Sequence, residues 1–251
     1  MTTNYDVENT SFWLKTWKEV YGFPDSYLAF DLETTGLIKD LDLITEIGLS
    51  KVSNGKETER QLIVIDWTRD PFVNQFWLKL RLKATSVSMA RLGRSYHCSY
   101  EKLYSHSNSV NPKDALSIVI SAFEDSRNKG IFLVGHNVWG FDSLFIESHV
   151  KKVLNLSFKF RTNDIMDTGS MEKGMALKIL PWPYQDLYYH HQRVADRSGK
   201  GISWSLSDHC VHKYDLVKRY SLDLAKAHTA DYDAYMTHLL FKTYSEIADS
   251  L

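Results

Sequence analysis

Asp31 and Glu33 lie two residues apart in Tyr27–Glu33 (YLAFDLE), a run that is otherwise apolar. Pro24 precedes it and Thr34-Thr35-Gly36 follows it. A short apolar run between turn residues predicts a buried strand. On a strand, residues i and i+2 point to the same face, so the two carboxylates share one. Asp is depleted in strands, so strand propensity does not explain the pair. Two carboxylates on one face of a central strand are expensive to desolvate without a cation beside them. The alternative is an edge strand with a solvated face, against which the flanking Leu28, Phe30 and Leu32 weigh.

The rest of the chain supplies a sheet for that strand. Ser11–Val20 has Trp13, Trp17 and Val20 at helical spacing, and Gly22 to Pro24 stop it. Phe12, Trp13 and Trp17 are assigned to the core. Ile44–Ser53 and Gln61–Asp66 predict two further strands, antiparallel around Asn54-Gly55, a pair that supplies positive φ. The polar stretch Lys56–Arg60 predicts a connection longer than two residues. Residues 71–108 read as mostly helical. Ala115–Phe123 is an amphipathic helix, Ile131–Val134 a fourth strand, Asp142–Leu154 a helix, and Phe158–Ile165 a fifth strand or its approach. Asp167–Leu177 reads as a helix, Leu180–Gly201 as a loop, and Ile202–His212 and Thr229–Ala248 as helices. The order βββ–α–β–α–β–α–α predicts an α/β fold, a mixed five-stranded sheet flanked by helices.

Composition narrows the function classes. Lys and Arg number 30 against 31 Asp and Glu, which excludes coating of nucleic acid by bulk positive charge but leaves room for a local basic groove. No run approaches the ~18 apolar residues of a membrane helix, so no membrane partner is expected. The first ten residues hold Asp6 and Glu8 and no apolar stretch, which predicts no secretory signal. Two cysteines, Cys98 and Cys210, do not make a disulfide framework, and an intracellular, cytoplasmic setting is expected.

Two more acids and a histidine complete a set. Asp142 follows Gly135-His136-Asn137-Val138-Trp139-Gly140-Phe141 at the predicted start of a helix; alone it reads as a helix cap. Asp233 falls near the start of the last helix; alone it reads as a first-turn acid favoured by the helix dipole. His228 precedes it by five residues, about 140° of helical rotation at ~100° per residue. The two share a face only if the helix begins near Thr229 and His228 stays in the loop. The bland alternative is a surface histidine.

Phe30-Asp31-Leu32-Glu33-Thr34-Thr35-Gly36-Leu37 resembles the first signature of the DEDDh 3′–5′ exonucleases, the DnaQ-like family that includes the proofreading subunit of bacterial replicative polymerases. Gly135-His136-Asn137 with Phe141-Asp142 is similar to the second signature, and His228 through Ala234 (HTADYDA) to the third. The sister class has a tyrosine four positions before the last aspartate; here Thr229 stands there, which favours the histidine class. Glu46-Ile47-Gly48, Asp167-Thr168 and Ser205-Leu206-Ser207-Asp208 are smaller resemblances. The likeness covers about residues 27–66 and 112–245. It implies an RNase H-like fold in one exonuclease domain over 1–251, with 1–25 a helical extension and about 67–111 a divergent insert.

The resemblance also implies a chemistry. Two divalent cations, Mg²⁺ or Mn²⁺, would suit four hard carboxylate ligands and stabilise the attacking and leaving oxygens of phosphodiester hydrolysis. Asp31 would bridge both ions, Glu33 and Asp233 would hold the ion carrying the nucleophilic water, and Asp142 would support the other. His228 would be the general base. Thr34, Thr35, Gly36 and Leu37 would meet the terminal nucleotide, with Leu37 as a wedge. His136, Asn137 and Phe141 would add contacts, or His136 and Asn137 merely tie down a strand end. The expected partner is a single-stranded nucleic-acid 3′ end, DNA slightly favoured over RNA, with a polymerase or other replication or repair chain as a further candidate. RNA trimming, cleavage of very short oligonucleotides and a catalytically silent binding module are the competing readings.

Leu187–Lys200 (LYYHHQRVADRSGK) interleaves aromatics with Arg193, Arg197 and Lys200, which suits stacked bases and paired phosphates. A solvated loop is the alternative. His209-Cys210-Val211-His212 tempts a zinc reading, but structural zinc sites show clearer paired spacing. Cys210 is expected to be a small buried hydrophobe.

Overall fold

The computed structural model describes residues 7–94, 96–105, 109–197, 205–207 and 211–250. Lys200, Asp208, His209 and Cys210 lie outside the described residues. The chain opens with α1 (Val7–Tyr21), followed by strands β1 (Tyr27–Thr34), β2 (Ile44–Ser53) and β3 (Lys56–Ile65). Helices α2 (Gln75–Arg91) and α3 (Tyr100–Ser105) come next, then β4 (Ser109–Val110), α4 (Pro112–Asn128), β5 (Phe132–Gly135) and α5 (Asp142–His149). The chain closes with β6 (Ile165–Asp167), α6 (Thr168–Ala176), α7 (Leu187–Arg197), α8 (Val211–Lys213), α9 (Leu216–Tyr220) and α10 (Ala230–Asp249).

The sheet has six strands in the order β4-β3-β2-β1-β5-β6, one more than the sequence predicts. The additional strand, Ser109–Val110, is too short to carry a period and pairs parallel with Val64 and Ile65. β1 runs antiparallel to β2 and parallel to β5, and β5 runs parallel to β6. The sheet is therefore mixed, and the three parallel strands end at one edge. In open α/β sheets that edge, outside the carboxyl ends of the strands, is where ligands bind.

Three local expectations are corrected. The β2–β3 connection is a two-residue turn: Asn54 and Gly55 have φ of 51° and 69°, and Ser53 pairs with Lys56. Both central residues take the positive φ that such a hairpin needs. Lys56–Arg60 is polar because most of that arm is exposed, not because it is a loop. The strand expected over Phe158–Ile165 is only Ile165–Asp167. Leu187–Arg197 is a helix, not a loop, and its buried stripe is Leu187, His190, His191 and Val194. Two histidines stand where aliphatic residues usually mark the period, so the helix is masked in the sequence. Phe12 is also exposed, while Trp13 and Trp17 are buried and stacked 5.2 Å apart.

Alternation along β1 divides the core. Leu28, Phe30 and Leu32 face a cluster with Val119 and Phe123 of α4 and with Phe145 and Ile146 of α5. Tyr27 and Ala29 face the opposite cluster, with Trp13, Trp17, Met236 and Leu240 from α1 and α10. Asp31 and Glu33 continue the Tyr27–Ala29 parity. They therefore face the side on which α10 lies over β1 and β2. Among the described residues no helix is long and apolar enough to cross a membrane.

Candidate active site

Gly48 sets how closely α10 approaches the strand ends. It pairs with Asp31 across β1 and β2. A Cβ at Gly48 would lie 2.0 Å from the Ala230 carbonyl oxygen and 2.3 Å from the Asp231 nitrogen. Only glycine lets the first turn of α10 rest on the sheet there. That contact carries Asp233, in the first turn of α10, over the acidic face of β1.

The loop before α10 presents His228. Thr229 is the N-cap, and His228 has a left-handed φ of 65°. Its N–H donates to Asp233 Oδ1 at 3.1 Å. Its ring Nδ1 lies 3.9 Å from Asp233 Oδ2 and 4.0 Å from Glu33 Oε1. Glu33, His228 and Asp233 thus offer ligand atoms within 4.8 Å of one another. Asp142 arrives from the other side. It is the first residue of α5, after Phe141 at the N-cap, and is buried. Its Oδ1 finds no hydrogen-bond partner among the described residues.

The electrostatics follow from this crowding. Burial raises the Asp31 carboxyl well above the usual range, and the charges of Asp233, Asp142, Glu33 and Glu46 raise it further. Glu33 is raised well above its ordinary value by burial and then by Asp233, Glu46 and Asp142, with Lys102 opposing. Asp142 is raised by burial and Asp167, against backbone hydrogen bonds from its own N–H and that of Leu32. Burial pushes Asp233 up to about 7, opposed by the His228 N–H and reinforced by Asp231 and Glu46. His228 goes the other way: burial lowers it, and Arg94 and His97 add to the effect. A neutral imidazole is the form that accepts a proton.

Glu46 is a fifth acid whose role the EIG pattern alone did not reveal. It sits opposite Glu33 on β2 and is buried. One oxygen meets Lys102 Nζ at 3.1 Å, and the other accepts from the Ala230 N–H at 3.4 Å. Both oxygens are occupied within the chain, which separates Glu46 from the four acids around it. Asp167 is similarly engaged, accepting from the N–H groups of Asn137 (2.8 Å), Ser170 (3.1 Å) and Trp139 (3.2 Å).

The remaining expected contacts fall into three groups. In the turn after β1, Thr34 and Thr35 are buried. Thr35 N–H donates to the Leu43 carbonyl at 2.9 Å, and its hydroxyl donates to Asp42 at 3.1 Å. Gly36 lies where a Cβ would be 2.6 Å from Arg81 Nη2. Leu37, at the tip, is 83% exposed. His136 Nδ1 is 2.9 Å from the Thr168 hydroxyl, and Asn137, with φ of 65°, receives a hydrogen bond from Lys173 at 3.4 Å. Both tie the end of β5 to α6. Phe141 packs on Phe145, with ring centroids 4.7 Å apart. Arg193 donates to Gln185 at 2.8 Å and lies over the Trp182 ring at 3.8 Å, so its charge is engaged by its own loop. Arg197 is exposed at the end of α7.

A mixed sheet flanked by helices, with acids at the carboxyl ends of its parallel strands, defines an RNase H-like fold. Comparison with solved structures agrees on the fold. The chain is similar to a zinc-bound E. coli exonuclease I–single-stranded DNA complex, with a TM-score of 0.54 and 14% identity over 87% of this chain and 40% of that one. It is also similar to E. coli exonuclease I with a dA16 oligonucleotide, with a TM-score of 0.54 and 15% identity over 90% and 43%. A further exonuclease I structure gives a TM-score of 0.56 at 14% identity over 90% and 43%. The chain thus spans about two fifths of the length of these neighbours. No protein-family model and no curated protein matches the sequence.

Proposed function

We propose that the protein is a metal-dependent 3′–5′ exonuclease acting on a single-stranded nucleic-acid 3′ end. One observation carries the reading: Glu33, His228 and Asp233 bring ligand atoms within 4.8 Å of one another at the strand ends, where Asp31 and Glu33 also feel the charges of Asp142 and Asp233. Among the described residues no lysine or arginine pairs with them as Lys102 pairs with Glu46. The unpartnered buried Asp142 Oδ1 and the all-oxygen donor set fit hard divalent cations such as Mg²⁺ or Mn²⁺. Asp31, Glu33, Asp142 and Asp233 would hold such ions, which would supply charge stabilisation to the attacking and leaving oxygens.

The chain's own groups do the rest. His228, neutral and beside Glu33 and Asp233, accepts the proton from the attacking water. Leu37 meets the last base from the tip of a turn held rigid by Asp42. Water attack on the terminal phosphodiester then releases a nucleoside 5′-monophosphate. The oligonucleotide complexes of the structural neighbours support a single-stranded substrate; they give no support to a polymerase-subunit role.

The test is a 5′-labelled single strand, as DNA and as RNA, incubated with Mg²⁺ or Mn²⁺. A ladder shortening by one nucleotide at a time, absent with chelator and with Asp233→Ala, is expected. No ladder from the folded wild type on either strand would sink the reading.

A further inference from the structure

The insert that departs from the family resemblance is strongly one-sided in charge. From Pro71 to Tyr100 the sequence holds Lys79, Arg81, Lys83, Arg91 and Arg94 and not one Asp or Glu, in a chain whose charges as a whole nearly cancel. The structure places this basic run against the turn after β1. Arg81 of α2 pairs with Asp42, through Nε at 2.9 Å. The Thr85 hydroxyl donates to the Thr35 carbonyl at 2.6 Å, and the Tyr96 hydroxyl donates to the Thr34 carbonyl at 3.1 Å. The helix is thus fixed to the segment that carries Leu37.

The opposite face of α2 is turned to solvent and is unusually apolar. Only Leu78 and Leu82 are buried. Phe76 is 77% exposed and Leu80 55% exposed, one turn apart, and Val87 continues the stripe. Phe72, just before the helix, is 96% exposed. Lys83 and Arg91 are exposed beside that stripe, and Lys79 lies over the Tyr100 ring at 4.3 Å. A soluble helix ordinarily turns charge outward and apolar residues inward. Here the outward face combines aromatic and aliphatic surface with cations alone.

We infer that the exposed face of α2 is a track for the single strand upstream of the terminal nucleotide, with bases on Phe76 and Leu80 and phosphates against Lys83 and Arg91. The inference rests on the exonuclease reading for its substrate. Two observations select a nucleic-acid occupant. The run is purely cationic and interleaved with exposed apolar side chains, the combination that holds single strands without reading sequence. The helix that bears it is also fixed, through its other face, to the turn beside the acidic centre. From the level of Thr85 to that of Phe76 is about 14 Å along the helix axis at ~1.5 Å per residue, room for more than one nucleotide. Cations there also offset the repulsion that the acidic cluster exerts on an approaching phosphate chain.

The experiment is fluorescence anisotropy in chelator, with a labelled long single strand and a labelled dinucleotide, on wild type, Phe76→Ala and the double variant Lys83→Gln/Arg91→Gln. Either variant is expected to weaken long-strand binding about tenfold, the scale of one lost base stack, and to lower the long-strand to dinucleotide affinity ratio by the same factor. The double variant should also flatten the salt dependence, by about 0.7 in the log–log slope for each phosphate it no longer neutralises. Equal long-strand affinity and slope in all three proteins, or no measurable binding by wild type, would overturn the track. Hydrolysis of the long strand by wild type in Mn²⁺ is scored separately. A ladder with unchanged variant binding removes the track and keeps the exonuclease; weakened variant binding without any ladder keeps the track and removes the exonuclease.

Discussion

Glu172, on α6 beneath α10, is as deeply buried as any acid at the strand ends, yet its surroundings differ. Its two oxygens meet Lys213 Nζ and the Tyr244 hydroxyl, each at 2.6 Å. Asp42 is likewise saturated by Thr35, the Ile38 N–H and Arg81, and Asp167 by three backbone N–H groups. At the strand ends, by contrast, Asp142 keeps a buried oxygen without a partner among the described residues, and Asp233 presses charge on Asp31 and Glu33. Both regions carry the desolvation cost of buried carboxylates. In one, the chain offsets it internally; in the other, the offset falls to the cations proposed there. Burial alone therefore does not separate the proposed ligands from Glu172, Asp42 and Asp167; the lack of a cationic or fully saturating partner does.

Substitution separates the two regions most sharply. Asp31→Asn is expected to reduce hydrolysis to background while the metal-free protein unfolds at an equal or higher temperature, because it removes a repelled charge. Glu172→Gln is expected to do the reverse, losing about 3 kcal/mol by stranding Lys213 while hydrolysis continues in the folded fraction. Urea unfolding alongside a nuclease assay measures both; matching behaviour of the two variants would erase the distinction.

Gly48→Ala tests the approach of α10. The added methyl meets backbone rather than a yielding side chain, so a loss of about 1–3 kcal/mol is expected, with hydrolysis falling further than stability because Asp233 and His228 move together. Retained turnover at reduced stability would show that the seat of α10 does not set the site.

Cations supply the next contrast. At a hundredfold excess over Kd, Mn²⁺ should stabilise wild type by roughly 2.7 kcal/mol, a rise in Tm of about 5 °C or more, and should leave Asp31→Asn nearly unshifted. The last contrast is in pH. Asp233 titrates near 7 when folded and near 3.8 when unfolded, so its contribution is fully present below 3.8 and is lost as the pH rises through 7. His149, His190 and His238, buried and lowered to about 4, 3 and 4, have the opposite sign: their contribution is lost as the pH falls below 6.5. The Tm difference between wild type and Asp233→Asn, in chelator, isolates the acid. It should turn against wild type between about pH 4 and pH 7 and shrink when Mn²⁺ is added; a difference flat across that window would contradict the crowding.

What the sequence disclosed follows the range of its signals. Asp31 and Glu33 were legible because two acids violate an apolar strand locally, and the placement of His228 outside the last helix followed from helical rotation. The pairing of Arg81 with Asp42 and of Lys102 with Glu46 was not, since each joins residues far apart in the chain. The helix over Leu187–Arg197 was hidden because His190 and His191 fill core positions, and β4 because two residues carry no period. The basic, acid-free run from Pro71 to Tyr100 was readable all along, but its meaning depends on α2 lying against the Thr34–Leu37 turn.

The most direct test of the central claim is calorimetric titration of Mn²⁺ into wild type, Asp31→Asn and Glu172→Gln, with all three shown to be folded. The account predicts divalent binding in wild type and Glu172→Gln and its loss in Asp31→Asn. Equal binding by all three, or none by wild type, would mean that the crowded acids at the strand ends are not a cation site.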